Sequence, residues 1–111
     1  MSNIIKNIED SKSLALKSQI DYKENSVEQL ILAKNQGVTM ILFAFDKGKE
    51  IPTHTAPGDA FVTCLEGNGK IILNGVEHNL KEGDYILMPA KEPHSVHALD
   101  KFKMLLTIVM Q

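Results

Sequence analysis

The sequence predicts an all-β protein, a single antiparallel sandwich or barrel of the jelly-roll type. From Ser18 onward the chain consists of short apolar runs separated by Gly, Asn, Asp and Pro, which is the punctuation of strands and turns. No alternation of strands with helices and no internal repeat is visible, which disfavours a parallel α/β fold. A chain of 111 residues is long enough for one such domain.

The predicted elements follow in chain order. Residues 1–17 are polar with scattered Ile and Leu, and we expect a mostly irregular N-terminal segment with one short helix through residues 12–18, capped by Asp10 or Ser11. Residues 18–111 then form the β domain. Its predicted strands span residues 27–33, 38–45, 60–67, 70–73, 76–80, 85–88, 94–99 and 102–110.

Glycines mark the turns between these strands. Asn74-Gly75 is the strongest hairpin signal, because both residues tolerate the positive φ of a type I′ turn. Asn68-Gly69 is interpreted in the same way, as a turn between two separate strands. The other glycines interpreted as turn positions are Gly58, Gly67 and Gly83.

Two predicted strands are apolar on both faces. In residues 38–45, Leu42 and Ala44 share one side while Phe43 and Phe45 share the other, and residues 104–110 have the same character. A strand of this kind must be covered on both sides, yet one sandwich has a single core. The second face therefore needs either the N-terminal segment or another subunit, and we expect a homodimer.

Composition excludes several classes of protein. A formal net charge of −2, without a block of like charges, gives no basic face for nucleic acid. The longest apolar run, residues 40–45, is far too short to span a membrane, and the first residues lack the pattern of a signal peptide. Cys64 is the only cysteine, so no intrachain disulfide forms. We expect a soluble cytoplasmic protein that binds neither nucleic acid nor membrane.

Two spaced motifs lie between residues 48 and 98. In the first, Gly48 is followed after five residues by His54, and Gly67 closes the motif. In the second, Gly83 is followed by Pro89 and His94. Together with the hairpin between them, these motifs resemble those of the cupin superfamily of small β barrels, across roughly residues 36–100. The phrase HTAPGDAFVTCLEG is similar to a subgroup of small stand-alone cupins.

The resemblance departs from the family pattern at the metal ligands. A typical metal cupin offers three histidines and one carboxylate or amide, and this chain retains His54 and His94 but has Ala56 and Ala60 at the other two places. Two imidazoles leave a divalent ion half-coordinated by water, so we expect no metal or a weakly bound Mn, Fe, Ni or Zn. Asp59 is a possible substitute ligand, but strand alternation directs it away from Ala60.

The resemblance also implies a pocket at the barrel mouth. Its predicted lining joins two polar histidines to small and apolar side chains, and consists of His54, Ala56, Ala60, Val62, Met88, His94 and Val96. We therefore expect a cupin that binds a small, partly apolar molecule. Two alternatives stay open. One is a metal-dependent oxygenase or isomerase whose metal ion is held by His54 and His94, and the other is a metal-free epimerase or isomerase using a histidine base with Asp59.

Three further residues carry titratable or reactive groups. His97 lies three residues after His94 and is expected on the opposite face of the strand. Cys64 alternates with Ala60 and Val62 and is expected to face the cavity, as an inert buried thiol or, alternatively, a reactive one. His78 is interpreted as a structural or solvated residue of the hairpin.

Overall fold

The computed structural model describes residues 4–111, which form seven strands and one 3-10 turn. The turn is Leu16–Gln19, and the strands are β1 (Val27–Lys34), β2 (Val38–Phe45), β3 (Glu50–His54), β4 (Asp59–Leu73), β5 (Val76–Lys81), β6 (Tyr85–Met88) and β7 (His94–Val109). No helix in this described part of the chain is long and apolar enough to cross a membrane.

All strand pairs are antiparallel, in the order β1-β2-β7-β4-β5, with β3 added to β7 and β6 added to β4. The C-terminal half of β7 pairs with β2 and its N-terminal half with β3. In the same way, the first residues of β4 pair with β6 and the last with β5. The two long strands therefore pass through both layers of a sandwich, and the predicted all-β jelly roll is confirmed.

Two breaks that the sequence predicted between strands do not exist. Residues 60–67 and 70–73 are not separate strands joined by a turn at Asn68-Gly69, because β4 runs through them without a break. Likewise, residues 94–99 and 102–110 form the single strand β7. Irregularities in the β4–β7 register after Cys64 and after Gly67 accommodate the turn-like residues within the ladder. These irregularities bend the strand where the sequence suggests that it ends.

Two other local expectations have different outcomes. Asn74 and Gly75 have φ angles of 51° and 79°, and they join β4 to β5 as the predicted hairpin turn. The sequence did not predict β3, a short edge strand that contains Pro52. A proline fits an edge strand because it has no N–H to donate to a neighbour.

The main core lies between the two layers. It contains Phe45 and Phe102, which are fully buried with their ring centroids 5.5 Å apart, at the bend of β4 and β7. Gly69 lies against this pair, and a Cβ added there would come within 2.5 Å of the Phe102 ring. The glycine therefore makes room for Phe102, which is why a residue that suggested a turn lies inside a strand.

A second apolar cluster lies on the outer face of β1 and β2. It contains the buried side chains of Leu32, Leu42 and Ala44, and the N-terminal residues Ile8 and Ile20 belong to it. The cover of this face is therefore the chain before β1, residues 4–26, which we call the N-terminal segment from here on, rather than the second subunit expected from the sequence. A homodimer stays a prediction, but the apolar character of these β2 side chains no longer requires it.

Polar contacts hold the N-terminal segment to the sandwich. Tyr22 donates a hydrogen bond of 2.6 Å to Glu66, and the buried Lys103 ammonium donates one of 2.7 Å to the carbonyl of Lys17. Burial and the Glu66 hydrogen bond hold the pKa of the Tyr22 hydroxyl well above its usual value. Nearer the N-terminus, the backbone N–H of Lys6 donates a hydrogen bond to the Leu32 carbonyl at the free edge of β1. The segment thus protects an edge strand as well as an apolar face.

The 3-10 turn at Leu16–Gln19 lies at the C-terminal end of the helix expected through residues 12–18. The division of the chain at residues 17 and 18 stays a prediction.

Replacing Gly69 by alanine is expected to lower the free energy of unfolding by about 1–3 kcal/mol, because the rigid Phe102 ring has nowhere to move in the core. Urea unfolding measures the loss. Gly37→Ala is the matched control, since a Cβ there meets only the Asn35 side chain, at 3.6 Å. Equal stabilities of the two variants would contradict the assigned packing.

Candidate functional site

Two histidines meet where β3 ends and β7 begins. His54 and His94 are register partners on these strands, and their ring centroids are 4.3 Å apart with the ring planes inclined at 64°. His54 is exposed, whereas His94 is buried with 4% of its surface accessible. The pairing of β3 with β7 brings together two residues that are 40 positions apart in the sequence.

The two rings make the same kind of backbone contact. Nδ1 of His54 lies 2.9 Å from the carbonyl oxygen of Pro52, and Nδ1 of His94 lies 3.1 Å from that of Glu92. A carbonyl oxygen only accepts hydrogen bonds, so each Nδ1 must carry the hydrogen. In the neutral rings, Nε2 is then an unprotonated acceptor, and the same tautomer occurs at metal-binding histidines.

Neither Nε2 has a hydrogen-bond partner among residues 4–111. Every fully buried side-chain nitrogen or oxygen in this range does have one. The Nε2 atom of His94 is therefore accessible, although most of the residue is buried. Each ring therefore keeps an Nε2 lone pair without a partner among residues 4–111.

The environment keeps His94 neutral. Burial lowers the pKa of the His94 imidazole below its usual value, and the neighbouring His54 lowers it further. The hydrogen bond to the Glu92 carbonyl acts in the opposite direction but does not outweigh burial. Near neutral pH, His94 is therefore a hydrogen-bond acceptor at Nε2 rather than a cation.

The side chains at one end of the barrel are fully buried, and those at the other end are partly exposed. Phe45 and Phe102 fill the closed end, whereas Ile41, Leu106 and Ile108 pack against the same core but stay partly exposed. These three residues lie on the interior face, because the β2–β7 and β4–β7 registers align them with Ala60 and Val62. His94 begins β7 and Ile108 lies near its other end, so both tips of the strand lie away from the Phe102 bend, and we call this end of the sandwich the cup.

The seven residues predicted to line the pocket lie on interior-facing positions or at the cup. Ala60 is the register partner of Met88, and both are 1% exposed. Five of the seven belong to the main core: Ala56, Ala60, Val62, Met88 and Val96. The other two, His54 and His94, form the pair described above. The assignment of these residues to ligand binding stays a proposal.

Comparisons with known proteins place the fold in a family. The family model described as "Cupin domain" matches residues 41–110. The chain belongs to the cupin family. An uncharacterized protein of Aquifex aeolicus is 33% identical over 88 residues, which cover 78% of this chain and 73% of that protein.

Two solved structures are similar over nearly their whole length. A conserved protein of unknown function from Streptococcus pyogenes has 35% identity and a TM-score of 0.96, and the match covers 99% of this chain and 96% of that one. A cupin superfamily protein from Desulfitobacterium hafniense has 28% identity and a TM-score of 0.92, with coverage of 96% and 98%. The names of these cupins give no ligand and no reaction.

The donor set of this cupin does not fit a tightly held metal ion. No group of three or more His, Cys, Asp or Glu side chains that could hold a metal occurs within residues 4–111. Asp59, the possible substitute, instead accepts a hydrogen bond of 2.9 Å from the backbone N–H of Ala90. His54 and His94 thus supply two nitrogen ligands without a third protein group.

The three further titratable or reactive residues identified from the sequence lie away from the cup. His97 is on the outer face, with Nδ1 2.7 Å from Glu50 and Nε2 2.9 Å from the Ser95 hydroxyl. His78 is an exposed residue of β5. Cys64 lies in the main core, and burial raises the pKa of its thiol to about 11, so the thiol is protonated at neutral pH. This pKa favours the inert interpretation of Cys64 over the reactive one.

Sequence reasoning missed part of the site. It identified neither β3 nor the partly exposed wall formed by Ile41, Leu106 and Ile108. The signal for the wall was present, since Ile41 alternates with Phe43 and Phe45 on one face of β2. The ring contacts with Pro52 and Glu92 had no such signal, because they depend on side-chain rotation.

The free energy of unfolding is expected to decrease as the pH is lowered, because of His94. A histidine whose folded pKa is depressed contributes stability that is present above its unfolded pKa of 6.5 and is lost as the pH falls through the folded value. Melting temperatures measured from about pH 8 to about pH 5 should therefore decrease less in His94→Phe than in the wild type. His78→Gln, at an exposed position, should keep the wild-type slope; an identical slope in His94→Phe would contradict the assignment.

Proposed function

We propose that this cupin binds a small, partly apolar molecule in the cup, with His54 and His94 as its polar anchors. The observation that carries the proposal is the pair of imidazoles, 4.3 Å apart, whose Nδ1 atoms face backbone carbonyls and whose Nε2 atoms have no protein partner. A ligand site commonly combines an apolar lining with a few convergent polar groups. The cup has this combination.

Alanines at the remaining family ligand places support binding without a tightly held metal. Ala56 and Ala60 stand where a metal cupin would have an imidazole and a carboxylate, and both methyl groups are buried in the main core. We propose that any divalent Mn, Fe, Ni or Zn ion is held weakly by the two histidines, with the other coordination positions left to water or ligand. Binding of an organic ligand should then not require the ion.

The proposal does not depend on catalysis. An epimerase using a histidine with Asp59 has less support, because the Asp59 carboxylate accepts a hydrogen bond from the Ala90 N–H and no acidic side chain forms a cluster with the two histidines among the described residues. The cytoplasmic location expected from the sequence stays a prediction.

Methionine methyl groups provide the test of binding in the cup. Titration of ¹³C-methyl-Met protein with anisole, after treatment with EDTA, should shift the Met88 resonance saturably, because Met88 lies beside Ala60 in the predicted lining. Met104, opposite Cys64 deep in the core, and Met40, in the outer cluster, are internal controls.

Ala56→Leu should weaken this binding by about tenfold or more, since the added side chain occupies the apolar wall of the cup. Val76→Leu is the matched control, because Val76 is exposed at the β4–β5 hairpin. If anisole, phenol and benzoate all leave Met88 unmoved while the protein is folded, the cup does not bind small molecules of this kind.

We further propose that two copies associate through the outer face of β4 and β6. Phe61 and Tyr85 stack there with ring centroids 5.0 Å apart, and Leu87 is the register partner of Phe61. Their exposed fractions are 38%, 63% and 52% respectively. Thr63 is the register partner of Tyr85 and Thr107 that of Phe61, so the centre of this face carries no charge, and the nearest exposed carboxylate on β4 is Asp59.

Light scattering should show a dimer of the wild-type protein at micromolar concentration, and Leu87→Lys should raise the dimer dissociation constant by about tenfold or more. Burying a lysine ammonium among Phe61 and Tyr85 would cost desolvation free energy. Leu99→Lys is the matched control, because Leu99 is 48% exposed at the bend of β7, outside the patch. A monomeric wild type, or equal effects of the two variants, would contradict this interface.

A further inference from the structure

We propose that the cup selects molecules with a weakly acidic hydroxyl group, a phenol or an enol, on an apolar body. The inference rests on the proposed function of the cup and names the chemistry of its ligand. It is carried by two neighbouring acceptor atoms, the Nε2 atoms of His54 and His94, which no donor of the described chain satisfies.

The acceptors need a donor from outside the protein. Each Nδ1–H is already directed at a backbone carbonyl, so neither ring can rotate to offer a donor to the ligand without losing that contact. The side chains of the other five predicted lining residues have only carbon and thioether groups. In the free protein, water donates to the Nε2 atoms. A ligand that displaces this water without a donor leaves an acceptor unpaired, which costs binding free energy.

The charge of the site disfavours ionic ligands. The sequence contains no arginine, so the cup lacks the bidentate donor that proteins use for carboxylate and phosphate groups. The lone pairs of unprotonated Nε2 atoms also repel an anion. An ammonium group is a donor, but no Asp or Glu joins the histidine pair in a cluster within residues 4–111, so a bound cation would have no countercharge.

A neutral hydroxyl group fits these constraints, and an acidic one fits best. The lone pair of a neutral imidazole is more basic than a carbonyl oxygen, and the hydrogen bond strengthens as the donor becomes more acidic. The partly exposed Ile41, Leu106 and Ile108 then cover the rest of the molecule. A phenol or an enol combines such a hydroxyl group with an apolar body.

The test compares phenol, anisole and benzoate on the native protein, with the Met88 methyl shift as the binding signal. Anisole has the same ring but no donor, and benzoate offers a charged acceptor. Phenol should bind about fivefold more tightly than anisole, the ratio expected for one net hydrogen bond, although anisole is the more apolar molecule. Benzoate should bind more weakly than either.

Nitrogen-15 spectra of the histidines separate this inference from the proposed function. In the free protein, the Nε2 atoms of His54 and His94 should be unprotonated, and phenol but not anisole should shift them. His97, whose two ring nitrogens already have partners, is the control within the same spectrum. In the double variant His54→Phe with His94→Phe, which removes both acceptors, the preference for phenol should fall to about twofold or less.

If the Met88 titrations give equal affinities for phenol and anisole, or the highest affinity for benzoate, the cup binds small molecules but the inference is wrong. The inference also fails if either Nε2 carries the hydrogen in the free wild-type protein, a result that needs no variant. If none of the three probes shifts Met88, the proposed function itself fails, and the inference fails with it.

Discussion

The antiparallel pairing of β4 with β7 is the constraint on which the rest of the structure depends. The ladder joins Asp59–Leu73 to His94–Val109, the two longest strands, and extends through both layers of the sandwich. Its bend contains Gly67, with a φ of 82°, where an added Cβ would lie 1.7 Å from the Lys101 carbonyl. No other residue type fits this close approach without moving the backbone. The bend allows the two arms of the ladder to face each other across one core.

This bend also positions the site. His94 begins the first arm of β7, and Ile108 lies near the end of the second arm, opposite Ala60. When the arms fold toward each other, the closed end is filled by Phe45 and Phe102, and the tips of the arms remain open. The edge strand β3 then adds His54 beside His94. The cup is therefore a consequence of the strand ladder and not of a separate loop.

One part of the outer face of the layer that contains β2 is covered and another part is exposed. The N-terminal segment, held by Tyr22 and by the carbonyl that accepts from Lys103, buries Leu42 and Ala44 on the outer face of β2. The region around Phe61 and Tyr85, on the same layer but farther from this segment, stays exposed. Removal of apolar side chains from water stabilises the covered part of this layer, and the uncovered part is the surface through which we propose association.

The sequence by itself determined the fold class, the hairpin at Asn74-Gly75 and the family, because these depend on local turn chemistry, hydrophobic alternation and motif spacing. It also identified the two histidines and the two alanines at the ligand places of the motifs. It could not determine that Gly69 lies within a strand, since the reason is its contact with Phe102, 33 positions away. Likewise, only the tertiary structure decided the tautomer of each ring and the cover of β2. Those features depend on packing and on hydrogen bonds between distant segments, which no local pattern encodes.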